Sequence, residues 1–356
     1  MKISHLILVL LFCISIGYAL DPSQPEIKTR IVSGIELTIL NKFGQAENIY
    51  RDILDEYPEE PLGYMYLAAV IQSQMLDREN FDRKTEFEEL ITECIEKSKI
   101  LQKKRGSDPW LLFFEGSAYL YRSFMQSKMK NIWSAYRSAL KGADRLDKVI
   151  KMDSTFFDAY LGIGSFKYWK SSKTKFVRWI PFIPDEREKG IRMVKKAVEN
   201  GEFVRLIGRD QLAWILLDSG RMEEALQNAI QNNKLYPDSR FFKWTLVKIY
   251  DKGGYYDSAY SLYSVLLKEF QNIPQNNHYN EIGCLLRMAE IDFDRGNYVK
   301  TDSLTSNILN IKLDPAVKDR VRSKLKESLK LKQKCSEFFN YDSLKAEKTV
   351  LEIKTY

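Results

Sequence analysis

The chain has 356 residues, 44% of them apolar and 29% charged, and its formal net charge is +7. This length suits one or two ordinary domains or one long repeat array, and the composition is sufficient to bury a core. Four cysteines, one of them within the first twenty residues, exclude a disulfide framework.

Residues 1–19 have the pattern of a secretory signal peptide. Lys2 supplies a positive charge, an apolar run follows, and small residues stand at Gly17 and Ala19. The run is too short for a transmembrane anchor, which needs about 20 apolar residues. The pattern predicts export. The absence of any Asn-x-Ser/Thr triplet favours a bacterial periplasmic or extracellular location over a eukaryotic lumen.

A spacing of 34 residues appears in the middle of the chain, where Gly220 matches Gly254 and Ala225 matches Ala259. Each glycine follows an apolar helical segment, and each alanine falls in the next segment. Glycine relieves a tight turn between two helices, and a small alanine lets two helices cross closely. The spacing therefore predicts repeated units of helix, turn and helix.

These features resemble the tetratricopeptide repeat, a 34-residue helical hairpin that stacks into a superhelix. In the N-terminal unit, Gly34, Ala46, Tyr50 and Pro58 occupy the small, small, aromatic and proline positions of that family. Partial matches recur in the same phase over roughly residues 30–313, among them Gly116, Tyr119, Tyr160, Ile163 and Gly164, with departures at Lys167 and Thr301.

The resemblance implies an all-α, right-handed superhelical solenoid of about seven helical pairs across residues 20–313. Two insertions interrupt the period, near 75–87 and at 171–186. A lone basic amphipathic helix at 314–335 is expected to cap the last pair, because that pair would otherwise expose apolar surface. Residues 336–356 are expected to form a C-terminal tail.

Large aromatic residues fall where the resemblance places the concave wall, which the first helix of each pair lines in tetratricopeptide proteins. Either tight superhelical turns cover these side chains as core, or they form a groove for a peptide, a helix, a glycan or a lipid. The predicted groove residues are Trp110, Phe113, Tyr121, Tyr168, Trp169, Trp214, Phe241 and Trp244. In the second insertion, Trp179 and Phe182 are further candidate contacts.

The segment 318–334 holds eight Lys or Arg residues and two acids. Val317, Val321, Leu325 and Leu329 recur every four residues, which predicts one apolar face and a basic remainder. Such a helix is either a cap with a solvated face or a contact for anionic lipid or an acidic partner. The lysines that would make the anionic contact are Lys324, Lys326, Lys330 and Lys332.

Sequence motifs for catalysis are missing. After the signal segment the single histidine is His278, in a polar run, and no zinc spacing, nucleophile elbow or phosphate-binding loop occurs. We therefore expect no enzymatic activity, no cofactor or metal, and no nucleic-acid partner. The sequence favours an exported interaction scaffold or adaptor, in cell-envelope assembly or trafficking, that binds a peptide or protein segment. The alternative is a glycan- or lipid-binding solenoid.

Overall fold

The computed structural model describes residues 20–173 and 184–353, with side chains described up to residue 339. Within these ranges the chain forms fifteen helices and no strand, and none of those helices has the length and apolarity needed to cross a membrane. The helices are α1 Pro25–Ile39, α2 Phe43–Glu56, α3 Pro61–Arg78, α4 Lys84–Arg105, α5 Pro109–Lys128, α6 Ile132–Met152, α7 Phe157–Lys173, α8 Arg187–Asn200, α9 Arg205–Asp218, α10 Met222–Leu235, α11 Arg240–Lys252, α12 Tyr256–Gln271, α13 Tyr279–Asp294, α14 Tyr298–Asn310 and α15 Pro315–Ile353.

The first fourteen helices form seven consecutive pairs, each packed on the next, and α15 packs on the last pair. This arrangement confirms the predicted all-helical solenoid and its seven pairs. The predicted insertion near 75–87 lies in the last turn of α3, the linker and the first turn of α4. The predicted signal segment and the loop residues Trp179 and Phe182 lie outside the described residues.

Helix starts follow local chemistry. Pro25, Pro61 and Pro109 each stand in the first turn of a helix, where their missing N–H would have no helical partner. The Asp108 carboxylate accepts the backbone N–H of Trp110 at 2.8 Å and so caps α5. These signals fix where first helices begin and so hold the repeat in phase.

The turns between paired helices use the left-handed glycine that the sequence predicts. Gly220, Gly254 and Gly296 have φ angles of 83°, 78° and 76°. A Cβ atom added at any of the three would meet no other atom within 4 Å, so the backbone conformation alone requires glycine there. After Gly296 the repeat alanine is replaced by Thr301, which is buried and donates its hydroxyl to the Asn297 carbonyl at 3.1 Å.

The repeat alanines are core residues. Ala225 and Ala259 have no exposed surface, and each packs in an apolar cluster with the neighbouring pair. We expect Ala225→Phe and Ala259→Phe each to lower the free energy of unfolding by roughly 1–3 kcal/mol, because a ring at the helix crossing forces the pair apart. Urea unfolding followed by circular dichroism measures this loss. Midpoints equal to that of the wild type would contradict the assigned crossings.

The first and last parts of the solenoid touch each other. The Ser239 hydroxyl, before α11, donates to the Ile39 carbonyl of α1 at 2.6 Å. The Arg240 guanidinium donates to both Asp77 carboxylate oxygens at 2.7 and 2.9 Å, and the Asn280 amide donates to the Asp77 carbonyl at 2.8 Å. Pairs one and two are therefore joined to pairs six and seven, and the superhelix closes on itself.

Glu79, in the turn after α3, is the second point of closure. Its carboxylate accepts the Lys128 ammonium at 2.7 Å and the Arg320 guanidinium of α15. Its carbonyl accepts the Asn277 amide at 2.9 Å, and Glu79 itself has a φ angle of 47°. The C-terminal cap is thus tied to the second pair by ionic and polar contacts.

The capping helix differs from its sequence-based description in length and in face. It continues past residue 335 to Ile353, so the helix does not end at the predicted boundary with the tail. Val317 and Val321 are buried, but Leu329 is 47% exposed, and Ser328, Leu331 and Cys335 are buried instead. A step of four residues rotates about 40° beyond a full turn, so a strict four-residue pattern leaves the buried face after two steps.

Candidate functional site

A cleft of about 480 Å³ lies where the first helices of the last four pairs meet. We call it the basic cleft. Helices α7, α9, α11 and α13 supply its lining, which corresponds to the concave wall expected from the repeat. The lining residues are Trp169, Lys173, Trp214, Leu217, Asp218, Lys248, Asp251, Lys252 and Arg287.

Two indole rings give the basic cleft its apolar surface. Trp169 and Trp214 are both half-buried, and the Lys173 ammonium lies 5.5 Å from the centre of the Trp169 ring. The Trp214 N–H donates to the Thr245 hydroxyl at 3.0 Å, and that hydroxyl donates to Asp210 at 2.5 Å. This chain fixes the Trp214 ring, so its free face is presented to the cleft in a defined orientation.

Positive charge is in excess in the basic cleft. Arg287 is neutralised by Asp251, whose carboxylate is 2.6 Å from the guanidinium. Lys173, Lys248 and Lys252 have no ion pair with a carboxylate in residues 20–173 and 184–339. The Lys248 ammonium lies 4.8 Å from the centre of the Trp244 ring, and burial lowers the pKa of this lysine.

Asp218, the second carboxylate of the basic cleft, accepts hydrogen bonds from neutral donors. Asp218 accepts the Tyr168 hydroxyl at 2.7 Å and the Ser172 hydroxyl at 2.6 Å. Burial raises the pKa of Asp218, but these hydrogen bonds, together with the nearby charges of Lys173 and Lys252, outweigh it and leave the pKa below the ordinary value. Asp218 therefore stays ionised, and its direct hydrogen-bond partners are hydroxyls rather than lysines.

Asp210 sits behind Trp214, and burial raises its pKa to about 7 against hydrogen bonds from Thr245 and Trp214. Between about pH 4 and 7 the folded state holds a proton that the unfolded state has lost, so stability falls as pH rises through this window. We expect the free energy of unfolding of Asp210→Asn, relative to wild type, to be about 2 kcal/mol higher at pH 8 than at pH 5. Asparagine keeps the hydrogen-bond acceptor but does not titrate. Urea unfolding at both pH values measures the difference. An equal effect of the substitution at pH 5 and pH 8 would contradict the raised pKa of Asp210.

Trp110 belongs to a different part of the molecule from the basic cleft. Its ring packs on Phe156 at 4.5 Å and on Phe203 at 5.7 Å between ring centres. A second cavity of about 750 Å³ adjoins it and is also lined by α1 residues, including Val32 and Glu36. Because the closed superhelix brings α1 against this stretch of the inner wall, Trp110 does not share one surface with Trp169 and Trp214.

The buried carboxylate beside this second cavity has a structural role. Asp158 accepts the backbone N–H groups of Glu202, Phe203 and Val204 at 3.0, 2.7 and 2.9 Å. Burial raises its pKa, while these three bonds act in the opposite direction. The carboxylate caps the turn before α9 and is not available to a ligand.

Four other predicted groove residues also lie away from the cleft lining. Phe113 and Tyr168 are buried in the core, where they cannot contact a ligand; the close approach of α8 at Gly190 covers Tyr168. Tyr121 is half-buried, and burial raises the pKa of its phenol to about 12. Phe241 is exposed but packs beside Phe242 rather than in the basic cleft.

Trp244 has an intermediate position. It packs edge-on against Phe270, at 6.0 Å between ring centres, and the Lys248 ammonium of the cleft lies 4.8 Å from its ring centre. The eight predicted aromatic residues therefore do not form one continuous wall. Trp169 and Trp214 line the basic cleft directly, and Trp244 supports one of its lysines.

The lysines of α15 are less available than the sequence suggests. The Lys324 ammonium lies 3.7 Å from the centre of the Tyr279 ring, and burial lowers its pKa to about 8. Lys332 pairs with Asp302 at 2.8 Å, and Lys330 approaches Glu327 at 3.9 Å. Lys326 alone of the four is exposed without an ion pair in the described part of the chain.

Sequence reasoning missed the cationic side of the basic cleft, although the repeat carries a signal for it. Lys248 stands 34 residues after Trp214, and Lys252 stands 34 residues after Asp218. Following charged residues through the repeat phase, in the same way as aromatic residues, would have placed both lysines on the same wall as Trp214.

The described residues offer no metal site, since no three His, Cys, Asp or Glu side chains among them are grouped to hold an ion. His278 lies at the start of α13 with its Nδ1 atom 2.7 Å from a Glu281 carboxylate oxygen, as expected for a loop residue. Cys94, Cys284 and Cys335 are free and buried, and burial raises the pKa of each thiol.

No protein-family profile matches the sequence, and no curated protein matches it either. Solved helical-repeat structures do align with the chain. A Rap protein complexed with competence and sporulation factor has 13% identity over 90% of this chain and 88% of its own, with a TM-score of 0.48. The tetratricopeptide protein TTC0263 of Thermus thermophilus has 16% identity over 62% of this chain and 98% of its own, with a TM-score of 0.40.

Yeast Tom70 aligns at 14% identity over 92% of this chain and 66% of its own, with a TM-score of 0.37. At such identities the likeness concerns the fold alone. The paired helices, the left-handed glycines at the turns and the buried alanines at the crossings define a tetratricopeptide-like α-solenoid. What this solenoid binds depends on the chemistry of the basic cleft.

Proposed function

We propose that this protein is an exported, non-enzymatic interaction scaffold that binds an extended segment of a partner protein in the basic cleft. One observation carries the proposal. Trp169 and Trp214 line the same cleft as Lys173, Lys248 and Lys252, three cations that form no direct ion pair with a carboxylate in the described ranges. Successive first helices supply these side chains, so the ligand would lie across several repeats.

The chemistry of the cleft selects the ligand. Indole faces offer large apolar contact at low entropic cost, and the lysines attract anionic groups. We infer a segment in which Asp or Glu stands next to a large apolar residue. A glycan would find fewer free carboxylate acceptors for its hydroxyls, because Asp218 already accepts from two hydroxyls and Asp251 already pairs with Arg287.

Export and an envelope role rest on residues 1–19, whose pattern is that of a signal peptide. The three free, buried thiols are compatible with export, since a fold held by packing does not depend on disulfide formation. Assembly or trafficking at a bacterial cell envelope is the setting in which an exported scaffold of this kind would act.

A peptide-display library of random twelve-residue sequences tests the proposal with the mature protein as bait. We expect enrichment of sequences that combine acids with aromatic or aliphatic residues. For an enriched synthetic peptide, Lys173→Glu/Lys252→Glu should weaken binding at least about tenfold, because two attractive charges become repulsive. Lys234→Glu, an exposed charge reversal at the end of α10, is the matched control and should bind as wild type does.

Fluorescence anisotropy of the labelled peptide measures each dissociation constant. No enrichment, or equal affinity for wild type and the double variant, would contradict the peptide proposal. Binding of the same bait to a glycan array, lost in Trp214→Ala but not in the charge-reversed variant, would favour the glycan alternative.

A further inference from the structure

The turn between α5 and α6 carries an exposed apolar surface that the fold does not use. We call it the hairpin-tip patch. Trp133 is 79% exposed and Ile132 is 63% exposed, values far above those of core residues. Single exposed apolar residues are common, but contiguous ones mark interaction surfaces. The patch consists of Phe124, Met129, Ile132, Trp133, Tyr136 and Leu140.

Helix geometry places the α6 members of the patch on one face. At about 100° per residue, Ile132, Trp133, Tyr136 and Leu140 lie within an arc of about 100°. Ala135, Ser138 and Gly142 are buried on the other side of α6, where Ala135 accepts a hydrogen bond from Ser123 of α5 at 2.7 Å. Helix α6 therefore has a core face and a second, solvent-facing apolar stripe.

The segment that carries the patch has charges of a single sign. Residues 124–141 contain four cations and no acid. Lys130 and Arg137 are exposed and have no ion pair in the described part of the chain, whereas Lys128 pairs with Glu79 at 2.7 Å. Lys141 is the fourth cation, with its ammonium 5.5 Å from the centre of the Tyr119 ring.

The first acids on α6 come after the apolar stripe has ended. Asp144 lies 2.8 Å from Lys148, and Asp147 lies 2.6 Å from Lys151. Both carboxylates are thus paired on their own helix and do not neutralise Lys130 or Arg137. The turn end of this helical hairpin therefore presents exposed apolar side chains and unpaired cations together.

We propose that the hairpin-tip patch docks this protein on the surface of an anionic lipid bilayer. Trp and Tyr rings with aliphatic neighbours prefer the headgroup region, and each nearby Lys or Arg adds attraction to anionic lipid. A protein partner would need its own acids arranged opposite these cations, while an anionic bilayer offers acyl chains and phosphates to any exposed surface that combines apolar side chains with cations. This surface is separate from the basic cleft, which stays free to bind a segment.

Cosedimentation of the mature protein with vesicles tests the proposal. We expect binding to vesicles of equal parts phosphatidylglycerol and phosphatidylcholine at low ionic strength, and weak binding to phosphatidylcholine alone. Ile132→Ser/Trp133→Ser and Lys130→Glu/Arg137→Glu should each reduce the bound fraction at a given lipid concentration at least about tenfold. The substituted side chains are exposed, so unchanged circular dichroism and melting temperature should accompany the loss.

Two control variants separate this surface from others. Val299→Ser removes a residue that is 74% exposed on α14, and it should leave vesicle binding unchanged. Lys326→Glu/Lys330→Glu reverses the outward lysines of α15, the helix that the sequence suggests for lipid contact, and it should bind nearly as wild type does.

Three results would overturn the proposal. The wild type could fail to bind anionic vesicles, or the hairpin-tip variants could bind as tightly as wild type. The third is a concentration-dependent dimer, seen by analytical ultracentrifugation, that Trp133→Ser abolishes. That result would make the patch a contact between two copies of the chain.

Discussion

Gly190→Val is expected to lower the free energy of unfolding by about 3 kcal/mol or more. The backbones of α7 and α8 touch at this crossing. A Cβ atom at Gly190 would lie 2.6 Å from the Gly164 carbonyl oxygen and 2.8 Å from the Tyr168 backbone nitrogen. Neither backbone atom can rotate away as a side chain would, so the two helices must separate. Chemical denaturation of the purified mature protein measures the loss.

Gly44→Ala is the matched control. Gly44 lies in the first turn of α2, and a Cβ atom there would meet nothing within 4 Å. This substitution should change stability by no more than about 1 kcal/mol, in the stabilising direction, because alanine is the better helix former. Similar unfolding midpoints for Gly190→Val and Gly44→Ala would mean that α7 and α8 do not cross as described.

Asp77→Ala should cost about 3 kcal/mol or more and should also open the solenoid. The Asp77 and Arg240 side chains are 9% and 17% exposed, and they join the second pair to the sixth. Removing the carboxylate leaves the guanidinium poorly hydrated and without its main partner, which is the costly way to break a buried ion pair. Denaturation reports the energy, and small-angle X-ray scattering reports a larger radius of gyration.

Asp147→Ala is the matched control, because it removes an ion pair that does not join distant parts of the solenoid. Asp147 pairs with Lys151 on α6, and these side chains are 47% and 74% exposed. Exposed pairs contribute between 0 and about 1 kcal/mol. If Asp77→Ala behaved like Asp147→Ala in both stability and radius of gyration, the ends of the superhelix would not be held together by the Asp77–Arg240 contact.

The periodic part of the fold could be predicted because its rules are local. A glycine at the turn and an alanine at the crossing recur at one spacing. Each is required by the geometry of a single helical hairpin, as Gly220 and Ala225 show. Closure could not be predicted in this way. Asp77 and Arg240 are 163 residues apart, and Glu79 and Arg320 are 241 apart. No local pattern couples residues at such separations.

The candidate site was predictable in part for the same reason. The repeat phase indicates which helices face inward, and Trp169 and Trp214, two of the residues it selects, line the basic cleft. It does not determine how far a side chain reaches beyond its own helix. Tyr168 stands next to Trp169 in the sequence, but it points under α8 and donates to Asp218. Trp110 faces α1 across the second cavity, and this arrangement depends on the long-range contacts.

The hairpin-tip patch had no counterpart in the sequence-based description. Ile132, Tyr136 and Leu140 follow helical spacing, which is also the spacing of core residues on a helix. Only the packing shows that Ala135, Ser138 and Gly142 already supply the buried face of α6. A helix with two apolar faces is recognised from the structure, where one of the faces remains exposed.

Site-specific photocrosslinking tests the central claim most directly. A photoreactive phenylalanine analogue replaces Lys252 in the basic cleft, or Lys234 on the outer helix α10 as the control, and the protein is expressed in its native host. We predict that irradiation crosslinks the cleft position to one partner segment, identified by mass spectrometry, that contains an acid beside a large apolar residue. Crosslinks of equal yield and identity at both positions, or none at the cleft position, would contradict the account.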